Sequence, residues 1–169
     1  MKRQNKKRLT KAGWLLFYLY IIILSYFLFF SEHYGRENVM KEYHYNLEFF
    51  KEIKRFIKYR ELLGFESFVV NILGNILAFA PFGFLLPLLK IKYRKFFYTT
   101  FLCLLFSVSV ELVQLLLKVG IFDVDDIMMN TTGGIIGYVS FMIFNLLLRI
   151  FKPRSNIKSF ESTKTRGGN

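Results

Sequence analysis

Four stretches of this chain run for about twenty residues with almost no charge, the length a helix needs to cross a hydrocarbon core. They are 12–31, 67–89, 96–117 and 127–148, and Glu111 is their only ionised side chain. In lipid every backbone N–H and C=O must be satisfied within its own segment or a closed sheet, so stretches this long and apolar fold as helices. The expected class is therefore all-α: an integral membrane bundle of four transmembrane helices. A composition of 53% hydrophobic and 19% aromatic residues fits that class and excludes an ordinary soluble domain.

The net charge of +12 invites a nucleic-acid partner, and the placement of the charge argues against one. Lys2, Arg3, Lys6, Lys7, Arg8 and Lys11 precede the first span, and Lys90, Lys92, Arg94 and Lys95 lie between the second and third. Arg149, Lys152, Arg154, Lys158, Lys164 and Arg166 follow the fourth. Four crossings put these three clusters on one side, which the positive-inside bias makes the cytoplasm. The loop at 32–66 balances seven Lys and Arg against seven Glu, as suits the outside. The expected division is a basic cytoplasmic tail at 1–11, a membrane domain at 12–151 and a flexible basic cytoplasmic tail at 152–169.

The first span follows a basic segment, as a secretory signal does. It is longer than a usual signal core and ends in Phe29-Phe30-Ser31-Glu32 without a small-x-small cleavage pattern, so it reads as a retained anchor. In the outer loop, Phe49, Phe50, Ile53, Phe56, Ile57 and Leu63 recur near helical spacing behind Asn46, a candidate N-cap. A short amphipathic helix is expected there, lying on the membrane surface or packed over the mouth of the bundle.

Inside the spans, polar residues fall at related depths. An Asp at a helix centre costs about 2.5 to 3.5 kcal/mol on insertion scales, so intramembrane carboxylates usually face protein or a wet cavity. Glu111 shares a helical face with Ser107, Gln114 and Lys118; Asn71 and Asn75 stand four apart on the second span, and Asp126 and Asn130 four apart on the fourth. With the expected topology all three sets meet near the outer leaflet, beside Asp123 and Asp125. Two readings of Glu111 stay open: a structural one, bonded to Lys118 or Asn75, and a functional one in binding or proton handling. For the asparagines, hydrogen bonding between helices is the favoured reading. Asp123 or Asp125 suits the cap of the fourth helix, Gly120 a turn before it, and Pro87 the end of the second helix. Gly133 and Gly137 form a small-xxx-small face.

No spacing is specific for a metal, and His33 and His44 lack matching ligands for zinc. No cofactor is expected; a divalent cation held by carboxylates and amides is the weaker alternative. Cys103, the single cysteine, sits in the third span as a small apolar residue.

The segments NILGNILAFAPFGFLLP (71–87), SVSVELVQ (107–114) and DVDDIMMNTTGGIIG (123–137) resemble, in this order and spacing, the VanZ-like family of small bacterial membrane proteins. NLEFF (46–50) is similar to that family's Asn-Leu-x-Pro-Phe segment, with Glu48 and Phe49 standing where x and Pro occur. The resemblance covers about 46–145 and carries over Asn75, Phe79, Pro81, Gly83, Glu111, Gln114, Asp123, Asp126, Asn130, Gly133, Gly134 and Gly137. It implies a multi-span protein of the bacterial plasma membrane, and the family's namesake is tied to resistance to the glycopeptide teicoplanin.

Two functions follow. The first is non-enzymatic: an outward-facing acidic and amide cluster of Asn71, Asn75, Glu111, Gln114, Asp123, Asp126 and Asn130 recognises an envelope lipid or a glycopeptide-related ligand. The alternative is a metal-dependent membrane enzyme acting on a lipid-linked envelope substrate, with Glu111 as general base. A proton-coupled transporter would require several copies to enclose a pathway.

Overall fold

The computed structural model describes residues 3–30, 41–59 and 69–151. The tail at 152–169, the loop helix beyond 59, and residues 67 and 68 of the second expected span lie outside the described residues. Helix α1 spans Arg3–Phe30, α2 Lys51–Lys58, α3 Gly74–Leu89, α4 Phe96–Leu117 and α5 Val124–Phe151. A π-helical turn, Val69–Leu73, leads into α3, and a 3-10 turn, Ile91–Arg94, joins α3 to α4. Among the described residues, four segments are long and apolar enough to cross a membrane: Thr10–Phe30, Asn71–Leu89, Phe96–Leu117 and Val124–Phe151. They match the four stretches read from the sequence.

One local expectation, that Pro87 ends its helix, is corrected, and two further helix ends add detail. Helix α1 begins at Arg3, so most of the basic segment continues the helix of the first span; Lys, Arg and Gln are good helix formers and extend a helix already nucleated by the apolar run. Pro87 lies inside α3, which runs on to Leu89, because a proline forfeits only its own N–H bond and the residues after it still donate backwards. At the end of α4 Lys118 is left-handed, with φ 55°, and opens a turn that runs on through Gly120. Its N–H donates to the Leu115 carbonyl at 3.0 Å, and that of Val119 to the Gln114 carbonyl at 3.1 Å. These bonds satisfy carbonyls that the helix end leaves open.

The bundle is organised by the contact of α3 with α5, made backbone to backbone. A β-carbon added at Gly83 would overlap the Gly134 carbonyl, one at Gly133 the Ile76 carbonyl, and one at Gly137 the Ala80 carbonyl. Gly134 also faces Cys103 of α4, which is fully buried. Lipid supplies no hydrophobic drive between helices, so this close approach gains dispersion that larger side chains would forbid. Aromatic rings fill the rest: Phe82 stacks on Phe106 at 4.5 Å between centroids, Phe79 lies 5.5 Å from Phe106, and Phe17 of α1 meets Phe82 at 5.8 Å. The Tyr20 hydroxyl donates to the Ala78 carbonyl at 2.7 Å, tying α1 to α3.

The two ends of the bundle differ. At the basic end, Tyr138 donates to the Arg94 carbonyl at 2.7 Å, Arg94 to the Pro87 carbonyl at 3.2 Å, and Thr99 to the Tyr93 carbonyl. At the other end a strap, residues 41–59, crosses the bundle. Its strand β1 (Tyr45–Asn46) pairs in parallel with β2 (Phe122–Asp123), which joins α4 to α5.

Candidate functional site

The strap and the helix ends beneath it enclose a polar layer. Glu111, 2% exposed, rises from the last two turns of α4, and its Oε2 accepts the N–H of Asp123 at 3.1 Å. Asp123 precedes α5, and its Oδ1 accepts the N–H of Asp125 at 2.8 Å, the bond of an N-cap residue. Of the two aspartates expected to cap α5, Asp123 does so. The same Oδ1 accepts from Asn46 Nδ2 at 3.1 Å, across 77 residues of sequence.

Asp125 is thereby released for another task. Fully buried, it accepts the N–H of Phe50 at 2.5 Å and that of Glu52 at 2.9 Å. These are donors at the start of α2, so a carboxylate from α5 caps a helix 73 and 75 residues earlier in the chain. Asn46 does not cap that helix, contrary to the sequence reading. Helix α2 starts at Lys51 behind Phe50, which sits in the left-handed region at φ 63°. Asn46 is already engaged: its Oδ1 accepts from the Glu48 N–H at 3.2 Å while its amide reaches Asp123.

The remaining expected site residues fall at neighbouring levels. Asn75 of α3 donates to Asp126 of α5 at 2.7 Å. One turn deeper, Asn130 donates to Ser107 of α4 at 3.1 Å, while its own Oδ1, in a side chain 1% exposed, has no donor among the described residues. The Thr100 and Thr131 hydroxyls are likewise buried without a partner among them. Gln114 turns away from the acids to the Leu28 carbonyl of α1 at 3.1 Å. Asn71 lies in the π-helical turn and is exposed, so it shares a helix with Asn75 without sharing its burial. Lys118, expected on the face of Glu111, points to the strap: its Nζ donates to the Lys41 carbonyl at 3.2 Å and lies 4.6 Å from the Tyr43 ring centre.

Two members of the layer escaped the sequence reading. Asn46 was visible as part of NLEFF, though with another role. Glu52 carried no signal beyond its place in the loop helix; it lies toward Asp123 and Asp125 and pairs with Arg55 at 2.8 Å. Burial raises the carboxyl of Glu52, Arg55 counters that shift, and the two aspartates add to it. Burial also raises Asp123, against the hydrogen bonds from Asp125 and Asn46.

Phe79 is fully buried, Pro81 lies half-buried inside α3, and Gly83, Gly133, Gly134 and Gly137 line the helix contacts described above. Both oxygens of Asp125 accept backbone N–H groups, and among the described residues no three His, Cys, Asp or Glu are grouped as metal ligands.

Four spanning helices, closed at one end by an acid-rich layer and a tethered strap, define a small multi-span membrane protein. The chain belongs to the VanZ/LLP1 family, whose model matches residues 17–145, from within α1 to the last turns of α5. This is the family that the motifs resemble. Neither a curated protein nor a solved structure matches the chain.

Proposed function

We propose that the protein acts in the bacterial plasma membrane as a non-enzymatic part of the cell envelope. Both termini and the basic turn face the cytoplasm, and the polar layer faces outward, where it binds an envelope component rich in hydrogen-bond donors. The orientation rests on the positive-inside bias. The ligand class rests on one observation, that the carboxylates of the layer are met by neutral donors. Among the described residues the donors to Asp123 and Asp125 are all amides, and Asn130 Oδ1 has no donor. Amides solvate a carboxylate without cancelling its charge, so the layer suits an ammonium, amide or sugar hydroxyl. Binding of such a group at the membrane surface would alter the access of a glycopeptide such as teicoplanin to its target.

Expression in a sensitive bacterium, followed by measurement of teicoplanin and vancomycin susceptibility, tests this reading. The expected result is a shift with the wild-type chain that Glu111→Ala and Asp123→Asn abolish at equal protein levels. An equal shift for all three chains would remove the layer from the explanation. No shift for the wild type would remove the glycopeptide.

A further inference from the structure

The strap presents two faces, and only one is used by the polar layer. The strap is strand only at Tyr45–Asn46 and turns at Phe49 and Phe50, and from residue 41 to 50 Asn46 is the one buried side chain. Asn46 turns inward to Asp123, while Tyr43, Tyr45, Leu47 and Phe49 turn outward and are each 57% to 67% exposed. Helix α2 follows directly with Ile57 also exposed, and with Lys51, Lys54 and Lys58 in the open. Its fourth cation, Arg55, is engaged by Glu52 at 2.8 Å.

The depth of this comb is fixed by its pairing. Tyr45 lies opposite Phe122 and Asn46 opposite Asp123, and the next residue, Val124, opens a span. The exposed apolar residues therefore stand where the hydrocarbon core gives way to headgroups. Tyrosines belong at that level, with the ring toward the acyl chains and the hydroxyl toward water. Lysines beside them meet the phosphate layer. Beside the Arg55–Glu52 pair, helix α2 carries three exposed lysines, and with Glu48 included the segment 43–58 still has four cations against two carboxylates, so its charge complements an anionic surface rather than a neutral one.

We infer that the outer face of the strap, Tyr43 to Lys58, docks on anionic phospholipid headgroups, with Tyr43, Tyr45, Leu47 and Phe49 dipping below the phosphates and Lys51, Lys54 and Lys58 binding them. The occupant is the bilayer that surrounds the protein, so the strap lies over the polar layer with one face on the acids and the other on lipid. This inference is independent of the envelope ligand proposed above, because it concerns the opposite face of the same segment.

The test uses the full chain in nanodiscs of phosphatidylcholine, with and without phosphatidylglycerol. Leu47→Cys supplies an exposed thiol for an environment-sensitive dye, while Cys103, fully buried, stays unlabelled. Spin-labelled lipids carrying the quencher in the headgroup region should quench the dye, and more strongly when phosphatidylglycerol is present. Neutralising the cations by Lys51→Gln, Lys54→Gln and Lys58→Gln should remove the phosphatidylglycerol dependence, each lysine accounting for about a fivefold preference at low salt. All three are exposed, so the triple variant retains the bundle contacts, and a monodisperse preparation confirms it. A dye that stays unquenched in both membranes overturns the inference, and so does quenching that ignores both phosphatidylglycerol and the lysines.

Discussion

Asp125→Ala tests the joint that holds the strap to the bundle. The carboxylate is fully buried and receives the Phe50 and Glu52 N–H groups at 2.5 and 2.9 Å. Alanine leaves both donors at the start of α2 without that acceptor. A hydrogen bond to a charged group contributes about 1.5 to 3 kcal/mol, and loss of a helix cap costs about 1 kcal/mol. The two bonds share one carboxylate and are not additive, so we expect the docked strap to lose about 2 to 4 kcal/mol. Asp125 does not contact the glycine interface of α3 and α5, so the loss should stay local. Amide hydrogen exchange of the purified full chain reads it directly. Peptides covering 41–59 should exchange roughly 30 to 1,000 times faster, at about 1.4 kcal/mol per decade, while those of α3 and α5 stay as in the wild type. Unchanged exchange over 41–59 would refute the cap. Equal acceleration everywhere would show that Asp125 holds the bundle rather than the strap.

Other outcomes follow from the same geometry. Gly83→Ala and Gly137→Ala push a methyl into a backbone carbonyl of the facing helix; each should cost at least about 1 to 3 kcal/mol, seen as a lower melting temperature in detergent. In Gly13→Ala the new methyl meets only the flexible end of Leu89 at 3.3 Å, so its melting temperature should barely move. Docking of the strap should weaken with rising pH. Burial raises Glu52 above its usual 4.5 and Asp123 above 3.8, so the protonated forms favour the docked state, and this contribution is complete below those values and lost as pH climbs through the raised ones. Exchange of 41–59, corrected for the intrinsic pH dependence of amides, should show it, with a flatter profile in Glu52→Gln. Phe49→Pro removes no donor that the layer uses and should be tolerated; a fall in melting temperature would contradict this.

How far the sequence disclosed this arrangement depends on the range over which each force acts. The spans were legible because lipid charges several kcal/mol for each misplaced ion, so their limits are written in composition. The cap of α5 was legible because Asp123 acts two residues away. The cap of α2 was hidden, since Asp125 donates its service to residues 73 and 75 positions earlier, while Asn46 offered a local pattern for the same purpose. Gln114 and Lys118 shared the helical face of Glu111, and that periodicity was sound as far as it went. Their long side chains nonetheless reached Leu28 and Lys41, which no spacing along α4 reveals.

The departure from the family's Asn-Leu-x-Pro-Phe segment acquires a physical meaning in the same terms. In NLEFF, Asn46 bonds Asp123 and the Glu48 N–H, and Phe50 donates to Asp125. No hydrogen bond from the N–H of Phe49 occurs among the described residues, so a proline at position 49 removes no donor that the layer uses. Proline at position 48 or 50 would delete a bond. The segment is thus constrained by what the acids require: its amides supply the donors that make buried carboxylates tolerable, and the carboxylates in return fix the strap. Each side of that exchange loses its reason without the other, which makes the strap and the acidic layer a single structural unit.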